Sequence, residues 1–299
     1  MPIAKKTMST DEYIESLLQK TKEPLNDKTS EILNDHLSKP NKREVDILIV
    51  CALPEEKDRV FDAFNILKTE RMRTHQDYRS AYGFMYHLYQ YSNYNIALVT
   101  QNSMGMASAA SLTTRAILAM RPKLVAMTGI CAGRTQKTSL GDIIIADQVY
   151  DYTAGKKYID KFAPRPFAIS ADNDIRNYIT TVILNNDNIT DSILQEWSGP
   201  RFPRRISIHM QAIASGTAVI DDKQTMEAAI AVQDSLYAID MESYGFALAA
   251  NALSTKWIII KAVQDFANGE KEHDETEARA FSSFASASLL RTIINGLLL

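Results

Sequence analysis

The sequence predicts a three-layer α/β domain with a central sheet, and three observations support this class. Short apolar runs rich in β-branched residues alternate with segments of helical length and pattern. The first run, VDILIVCA at Val45–Ala52, is apolar almost throughout, as expected of a strand that is buried on both faces. Strands that are separated by helices indicate a mostly parallel sheet with helices on its two faces.

Each further element follows from its local composition. Pro54 stands where a helix can begin, and the segment after Gly105 is rich in Ala, Ser and Thr, so that it can pack closely. The predicted strands are Val45–Ala52, Phe84–Tyr91, Tyr94–Thr100, Lys123–Thr128, Asp142–Val149, Ser207–Ala214, Tyr237–Ile239 and Lys256–Val263. The predicted helices are Glu55–Leu67, Gly105–Met120, Asp172–Leu184, Asp222–Gln233, Met241–Leu253 and Ala278–Leu298. The stretch Tyr150–Arg205 is polar and interrupted by prolines, and only one helix is predicted within it.

The first 44 residues differ from the rest of the chain. They carry eight basic and eight acidic side chains, no strand-like run, and two short helical patterns that Pro24 separates. We therefore predict a helical N-terminal arm at 1–44 and one catalytic domain at 45–299. Two interpretations of the arm stay open: a solvated segment, or a segment that docks a partner protein or a second subunit.

The composition disfavours several classes of protein. Lys plus Arg is 33 against 36 for Asp plus Glu, and this net charge of −3 is not expected of a nucleic-acid-binding protein. We find no apolar run of about 18 residues, which would indicate a membrane span, and no apolar core of a secretory signal. Cys51 and Cys131 lie in apolar runs, so we predict buried thiols in a reducing compartment and a cytoplasmic location.

No cofactor or metal is predicted. The five histidines are scattered, and neither the glycine-rich phosphate motifs nor a G-x-S-x-G or H-E-x-x-H motif occurs in the sequence. Carboxylates, backbone amides and small loops must therefore provide the chemistry.

Three groups of carboxylates follow predicted strands, where ligands bind in open α/β sheets. They are Glu55 with Glu56, Glu242, and Asp265. Each one alone is also explained as a helix cap or a partner of the helix dipole. Asp265 is the most telling, because a carboxyl group that follows an apolar strand can be partly desolvated and can donate a proton near neutral pH.

Two glycine-containing segments add to this pattern. MTGICAG, from Met127 to Gly133, predicts a loop after a strand that brings backbone N–H groups close to a ligand, although a plain turn is an equal alternative. NSMGMASAA, which begins at Asn102, predicts another strand-to-helix turn, with Gly105 at the helix entry.

Taken in order, these segments resemble the nucleoside phosphorylase superfamily and, within it, the methylthioadenosine/S-adenosylhomocysteine nucleosidase branch. The matching pieces are DILIVCALPEEKDRV, NSMGMASAA, MTGICAG followed by LGDIIIADQVYDY, ASGTAVI, AIDMESYGFA and IIIKAVQDFAN, from Asp46 to Asn268. The resemblance implies a mixed, barrel-like sheet wrapped by helices, and a homo-oligomer.

The resemblance also implies roles for individual residues. Asp265 is the general acid that protonates purine N7, Glu242 holds the ribose hydroxyls, and Glu56 orients and deprotonates the attacking water, with Glu55 as the alternative. The implied substrate-binding residues are Met241, Gly129, Ile130, Ser103, Val219, Ile220, Gln264 and Phe266.

Three positions depart from the family pattern. Val219 stands where the family often has an aromatic residue, so that Tyr152 or Phe266 would have to stack on the purine. Gln264 replaces the Ser that usually precedes the catalytic Asp, and its longer amide can bond the base or steady Asp265. Ile130 stands where a small polar residue is common.

Hydrolysis is favoured over phosphorolysis. Phosphorylases of the superfamily place an Arg before the Gly of the central loop, where this chain has Met127. The resemblance implies a purine nucleoside or nucleotide as the substrate, of the methylthioadenosine/S-adenosylhomocysteine or AMP/ATP type, with release of adenine. The Arg-rich segment RFPRR at 201–205 is either surface charge or, with Arg134, a clamp for 5′-phosphates. Similar domains act in bacterial stress and antiphage systems, where the resemblance implies cleavage of adenine nucleotides such as ATP.

Two alternatives stay open beside a purine nucleosidase. A phosphorylase would require phosphate and release ribose 1-phosphate. A sensor would hold a nucleoside without cleaving it and signal through the arm. The sequence does not fix the 5′-substituent of the substrate or the number of subunits.

Overall fold

The structure is a computed structural model that describes residues 45–66, 78–79, 83–160, 162–200, 205–218, 223–267 and 275–297. The predicted arm at 1–44, together with Val219 and Ile220, lies outside these described residues. The division into an arm and a catalytic domain therefore stays a prediction.

Twelve strands and seven helices lie in the described part of the chain. The strands are β1 (Ile47–Cys51), β2 (Tyr78–Arg79), β3 (Met85–Tyr91), β4 (Tyr94–Thr100), β5 (Leu124–Gly133), β6 (Ile143–Asp151), β7 (Gly155–Lys157), β8 (Phe162–Pro164), β9 (Ala168–Ser170), β10 (Ile208–Ser215), β11 (Leu236–Asp240) and β12 (Lys256–Asp265). The helices are α1 (Pro54–Ala63), α2 (Met106–Met120), α3 (Asn173–Leu184), α4 (Ile189–Glu196), α5 (Lys223–Val232), α6 (Ser243–Ala252) and α7 (Glu275–Asn295).

The predicted three-layer organisation is confirmed by the way in which strand β1 divides its side chains. Ile47 and Ile49 point into a core that α1, α3, α4 and α7 cover. Leu48 and Val50 point into a second core, which α2 and α6 cover. Because neighbouring side chains of a strand face opposite sides of the sheet, an uninterrupted apolar run is what a sheet between two helical layers requires.

The central sheet is mixed and closes partly on itself. Strand β5 pairs in parallel with β1 and β12, whereas β12 pairs in antiparallel fashion with β6. Strand β11 pairs in parallel with β10 and, at its other edge, in antiparallel fashion with β5. The strands β11, β10, β6, β12 and β5 thus form a closed ring, the barrel-like sheet that the resemblance implies.

Two details of the sequence prediction are wrong. The segment Gly129–Gly133 is not a loop, because β5 continues through it to Gly133. Its backbone pairs with β12 on one side, where Lys261 lies opposite Gly129, and with β11 on the other. The stretch Tyr150–Arg205 is also more regular than predicted, because β7, β8, β9 and α4 lie in it beside the predicted helix.

The two cysteines are buried free thiols, as predicted. Burial raises the pKa of both thiol groups well above the ordinary value. No helix within the described residues is long and apolar enough to cross a bilayer.

Candidate active site

A cavity open to solvent lies at the end of the sheet where β1, β5, β11 and β12 finish. This is the end at which ligands bind to α/β sheets. The cavity is lined by Ala52, Leu53, Glu56, Met104, Ile130, Cys131, Ala132, Ala218, Ile239, Asp240, Met241, Glu242, Gln264, Asp265 and Arg279. Glu56, Glu242 and Asp265, which the sequence analysis chose from separate segments, therefore share one cavity.

Glu56 is held in place by backbone N–H groups. Its Oε2 accepts hydrogen bonds from the N–H groups of Ala52 (2.8 Å) and Leu53 (3.1 Å). Its Oε1 accepts one from the N–H of Ile130 (3.1 Å). The side chain is only 2% exposed, whereas Glu55 on the same helix turn is exposed. Of these two glutamates, Glu56 is therefore the one in the cavity.

Gly129 leaves the space that the Glu56 carboxylate occupies. A Cβ atom at residue 129 would lie 2.1 Å from Oε1 of Glu56. We therefore expect a Gly129→Ala substitution to displace a carboxylate that three N–H groups hold, and to lower kcat about 100-fold if Glu56 prepares the attacking water, which is the range for a general base. Steady-state kinetics of Gly129→Ala tests this expectation. In a Glu56→Gln variant, the additional Gly129→Ala substitution should lower kcat little further. If the two losses in kcat multiply in full, Gly129→Ala does not act through Glu56.

Beneath the cavity, a buried lysine compensates the charge of the carboxylates. Lys261 is 1% exposed, and its Nζ lies 3.3 Å from Oδ2 of Asp240 and 4.0 Å from Oε2 of Glu242. Burial favours the neutral amine, but Asp240, Glu56 and Glu242 outweigh this effect and raise the pKa of Lys261 above its ordinary value. Lys261 therefore stays a cation.

Glu242 links the sheet end to the turn that enters α2. It is 6% exposed, stands at the N-cap of α6, and its Oε1 accepts a hydrogen bond from the Gly105 N–H (2.8 Å). Burial raises the pKa of Glu242; the Lys261 ammonium opposes this shift and Asp240 adds to it. Burial thus makes the ionised form of Glu242 unfavourable in the folded protein. A carboxylate that is kept at such a position is typical of functional sites.

The raised pKa of Glu242 predicts a dependence of stability on pH. The folded state binds the proton of Glu242 more tightly than the unfolded chain, so ionisation of Glu242 lowers the free energy of unfolding as the pH rises from about 4.5. We expect Glu242→Gln to be more stable than the parent protein at pH 8, with a smaller difference at pH 5. Urea unfolding at both pH values measures the effect. Glu277→Gln, a change at an exposed position of α7, is the control, and equal destabilisation by Glu242→Gln at both pH values would contradict this expectation.

Asp265 is the last residue of β12, and both of its carboxylate oxygens accept hydrogen bonds. Its Oδ2 accepts a hydrogen bond from Nε2 of Gln264 (2.8 Å), and its Oδ1 accepts one from the Ala267 N–H (3.0 Å). The strand is two residues longer than predicted, so Asp265 belongs to its end rather than to the loop that follows. A carboxyl group on a strand end is more firmly placed than one on a loop.

The other predicted substrate contacts divide into two groups. Met241, Ile130 and Gln264 line the cavity, and Gly129 lies directly behind Glu56. Ser103 is exposed and Phe266 packs against the core beneath α2 and α6, and neither lines the cavity.

The two alternatives named for stacking and for phosphate binding have other contacts. Tyr152 is buried in a small core against Gly216 and does not line the cavity. The Nη1 of Arg134, which was predicted to join a phosphate clamp, donates to the carbonyls of Asp234 and Leu236. These carbonyls lie just before β11 and at its first residue. Residues 201–204 of that clamp lie outside the described part of the chain, so the clamp stays a prediction.

Asp240, Lys261 and Arg279 are site residues that the sequence analysis did not identify. Asp240 accepts hydrogen bonds from the hydroxyls of Ser215 (2.7 Å) and Ser243 (2.5 Å), which fix it beside Lys261. A signal for Lys261 was present in the sequence, since a lysine inside the apolar run KWIIIKAV must find buried carboxylates. Within the described residues, no cluster of His, Cys, Asp and Glu has the arrangement of a metal site.

Comparison with known proteins gives one relative of uncharacterised function and others that are named nucleosidases. An uncharacterised protein, y4jS of Sinorhizobium fredii, is 36% identical over 194 residues, which is 62% of this chain and 46% of that protein. The ATP nucleosidase Cap17 of Escherichia coli is 27% identical over 62% of this chain and 38% of its own length. A 5′-methylthioadenosine/S-adenosylhomocysteine nucleosidase of Staphylococcus haemolyticus is 27% identical over 66% of this chain and 80% of its own length. The chain thus spans less than half the length of the first two relatives.

Solved structures confirm the fold. Futalosine hydrolase of Helicobacter pylori superposes with a TM-score of 0.67 at 18% identity, covering 85% of this chain and 98% of that one. The sequence profile of the phosphorylase superfamily matches residues 46–295. This match covers every strand and helix that the structure describes, and the chain belongs to the phosphorylase superfamily.

Proposed function

We propose that this chain hydrolyses the N-glycosidic bond of an adenine nucleoside or nucleotide and releases adenine. The observation that carries the proposal is the shared cavity of Glu56, Glu242 and Asp265, each held by backbone N–H groups. Carboxyl groups fixed around one cavity provide the acid and the base that glycosidic hydrolysis needs.

Asp265 acts on the leaving base. Its O–H bond breaks as a new N–H bond forms at purine N7, and the electron pair of the bond between C1′ and N9 passes to the purine ring. Adenine then departs as a neutral molecule, which is a far better leaving group than the anion. The negative charge left on Asp265 is stabilised by the N–H donors of Gln264 and Ala267.

Glu242 and Glu56 act on the sugar and on water. As C1′ loses the base it gains positive charge, and a carboxylate at Glu242 both accepts hydrogen bonds from ribose hydroxyls and stabilises that charge. Glu56 accepts the proton of a water molecule as the water oxygen bonds to C1′. Lys261 keeps the buried carboxylates Glu242 and Asp240 compatible with the fold.

The charge of the cavity favours water over phosphate as the nucleophile. Among its lining residues, four are carboxylic acids and one is an arginine, Arg279. A phosphate dianion requires fixed cationic donors, and the position where the resemblance implies an arginine is Met127, fully buried in the core. These observations support hydrolysis rather than phosphorolysis.

The names of the relatives support an adenine compound as the substrate. The Cap17 relative is named for ATP, and the Staphylococcus haemolyticus relative for methylthioadenosine and S-adenosylhomocysteine. The two groups differ in the 5′-substituent and share adenine and ribose. Adenine release is therefore the common element of the proposal.

A substrate panel tests the proposal. The purified chain is incubated with methylthioadenosine, S-adenosylhomocysteine, AMP and ATP, with and without phosphate, and free adenine is measured by chromatography. We expect adenine and the free sugar in the absence of phosphate. Ribose 1-phosphate that forms only with phosphate would indicate a phosphorylase, and tight binding in calorimetry without turnover would indicate a sensor; either result would overturn hydrolysis.

A further inference from the structure

A β-bulge at Gln264 brings two adjacent side chains into the same cavity. Strand β12 pairs with β5 residue by residue up to Val263, which lies opposite Cys131, and the next pair is Asp265 with Ala132. Gln264 is thus an extra residue in the ladder. In a regular strand, neighbouring side chains face opposite sides, but here both Gln264 and Asp265 line the cavity.

The amide of Gln264 has a defined orientation. Its Oε1 accepts a hydrogen bond from Nε of Arg279 on α7 (3.2 Å), and its Nε2 donates to Oδ2 of Asp265 (2.8 Å). Arginine is only a donor and an ionised carboxylate is only an acceptor. Because the guanidinium of Arg279 can only donate, the amide oxygen of Gln264 must face Arg279, and the NH₂ group therefore faces Asp265.

We infer that Gln264 and Arg279 are positioning residues that form a relay from a surface cation to the acid Asp265. This inference rests on the proposed function. The guanidinium of Arg279 polarises the Gln264 amide, so that the Nε2–H bond to Asp265 becomes stronger as the carboxyl group gives its proton to the base. The relay stabilises the charge that remains on Asp265 and also fixes the side chain toward the substrate.

The relay acts beside other ionisable groups. The groups that line the cavity around Asp265 are Cys131 on β5, Glu56 on α1, Asp240 at the end of β11, and Glu242 before α6. Lys261 on β12 lies beneath them, within 4.0 Å of Asp240 and Glu242. Because Arg279 lines the same cavity, its charge also acts on Asp265 through space. Gln264→Met, which removes the amide and keeps the cation, therefore separates the relay from this direct effect.

Kinetics of Arg279→Met and Arg279→Lys across pH test the inference. Loss of the cation should lower kcat about tenfold and leave KM nearly unchanged. This loss is smaller than the 10²–10⁴-fold rate contribution that is typical of a general acid, because Asp265 itself remains. It should also move the alkaline limb of the rate profile up by about 0.5–1 pH unit, because the ionised acid loses a stabilising partner. Arg279→Lys should restore most of the rate, and Gln264→Met should reproduce Arg279→Met. Glu277→Gln, on the exposed part of the same helix, is the control.

A second measurement separates this inference from the proposed function. Carbon-13 NMR of labelled Asp carboxyl groups, without substrate, follows the titration of Asp265, whose signal is assigned by its loss in Asp265→Asn. We expect a higher titration midpoint in Arg279→Met. If the midpoint moves but the parent protein releases no base, only the proposed function fails. If the parent protein releases base and neither the midpoint nor the alkaline limb moves, the relay is overturned. If the parent protein is inactive and the midpoint is also unchanged, both the relay and the proposed function are overturned.

Discussion

Replacing Asp265 with Asn should remove most of the activity, with a loss in kcat of about 10²–10⁴. The amide has no acidic proton to give to the purine, so the base would have to leave as an anion. Its oxygen can still accept the Ala267 N–H that Asp265 binds at 3.0 Å, whereas its NH₂ group faces the Nε2 donor of Gln264, so the hydrogen bond between residues 264 and 265 is lost as well. Release of adenine from the best substrate of the panel is the measurement.

A change of leaving group distinguishes acid catalysis from a loss of structure. A p-nitrophenyl riboside releases a stable anion that needs no proton, so Asp265→Asn should cleave it within about tenfold of the parent rate, since only the general-acid contribution is lost. Asp58→Asn, at an exposed position of α1, is the control and should leave both rates unchanged. Equal losses with both substrates would exclude proton donation by Asp265.

The sequence predicts the layers well because burial leaves a pattern in it. The run that became β1 is apolar at every position, and its residues are divided between two cores. The end of β5 was missed because Gly129–Gly133 begins and ends with glycine, which is equally typical of turns. Pairing with β12 and β11 decides its conformation, and such long-range pairing is not visible in local composition.

The sequence predicted only those site residues whose location follows from their own place in the chain. The carboxylates follow strands and could therefore be assigned to the same end of the sheet. The partners of these carboxylates come from distant segments: Arg279 bonds Gln264 from a helix whose first residue lies ten positions beyond Asp265. The bulge at Gln264 depends on the register between β12 and β5, which a single sequence does not specify.

Replacing Lys261 with Met should have the largest effect on stability, a loss of about 3–5 kcal/mol in the free energy of unfolding, as expected when one partner of a buried ion pair is removed. Lys261 is 1% exposed and lies against Asp240 and Glu242. Methionine has a similar length but no charge, so the buried carboxylates would lose the cation that offsets their repulsion. Because the pKa of Lys261 is raised in the folded state, its contribution is fully present below about pH 10.4, the ordinary pKa of lysine, and is lost only as the pH rises through the folded value.

A double-mutant cycle with Asp240→Asn isolates the charge effect from the packing effect. Asp240→Asn alone should destabilise the protein, because Lys261 then loses the carboxylate at 3.3 Å. The double variant should be less unstable than the sum of the two single changes, since neither partner remains as an isolated buried charge. Urea unfolding at pH 7 and pH 9 should give the same coupling energy, because Lys261 is charged at both. If the two losses in the free energy of unfolding are strictly additive, Lys261 contributes packing alone. Another group would then have to offset the repulsion between the buried carboxylates.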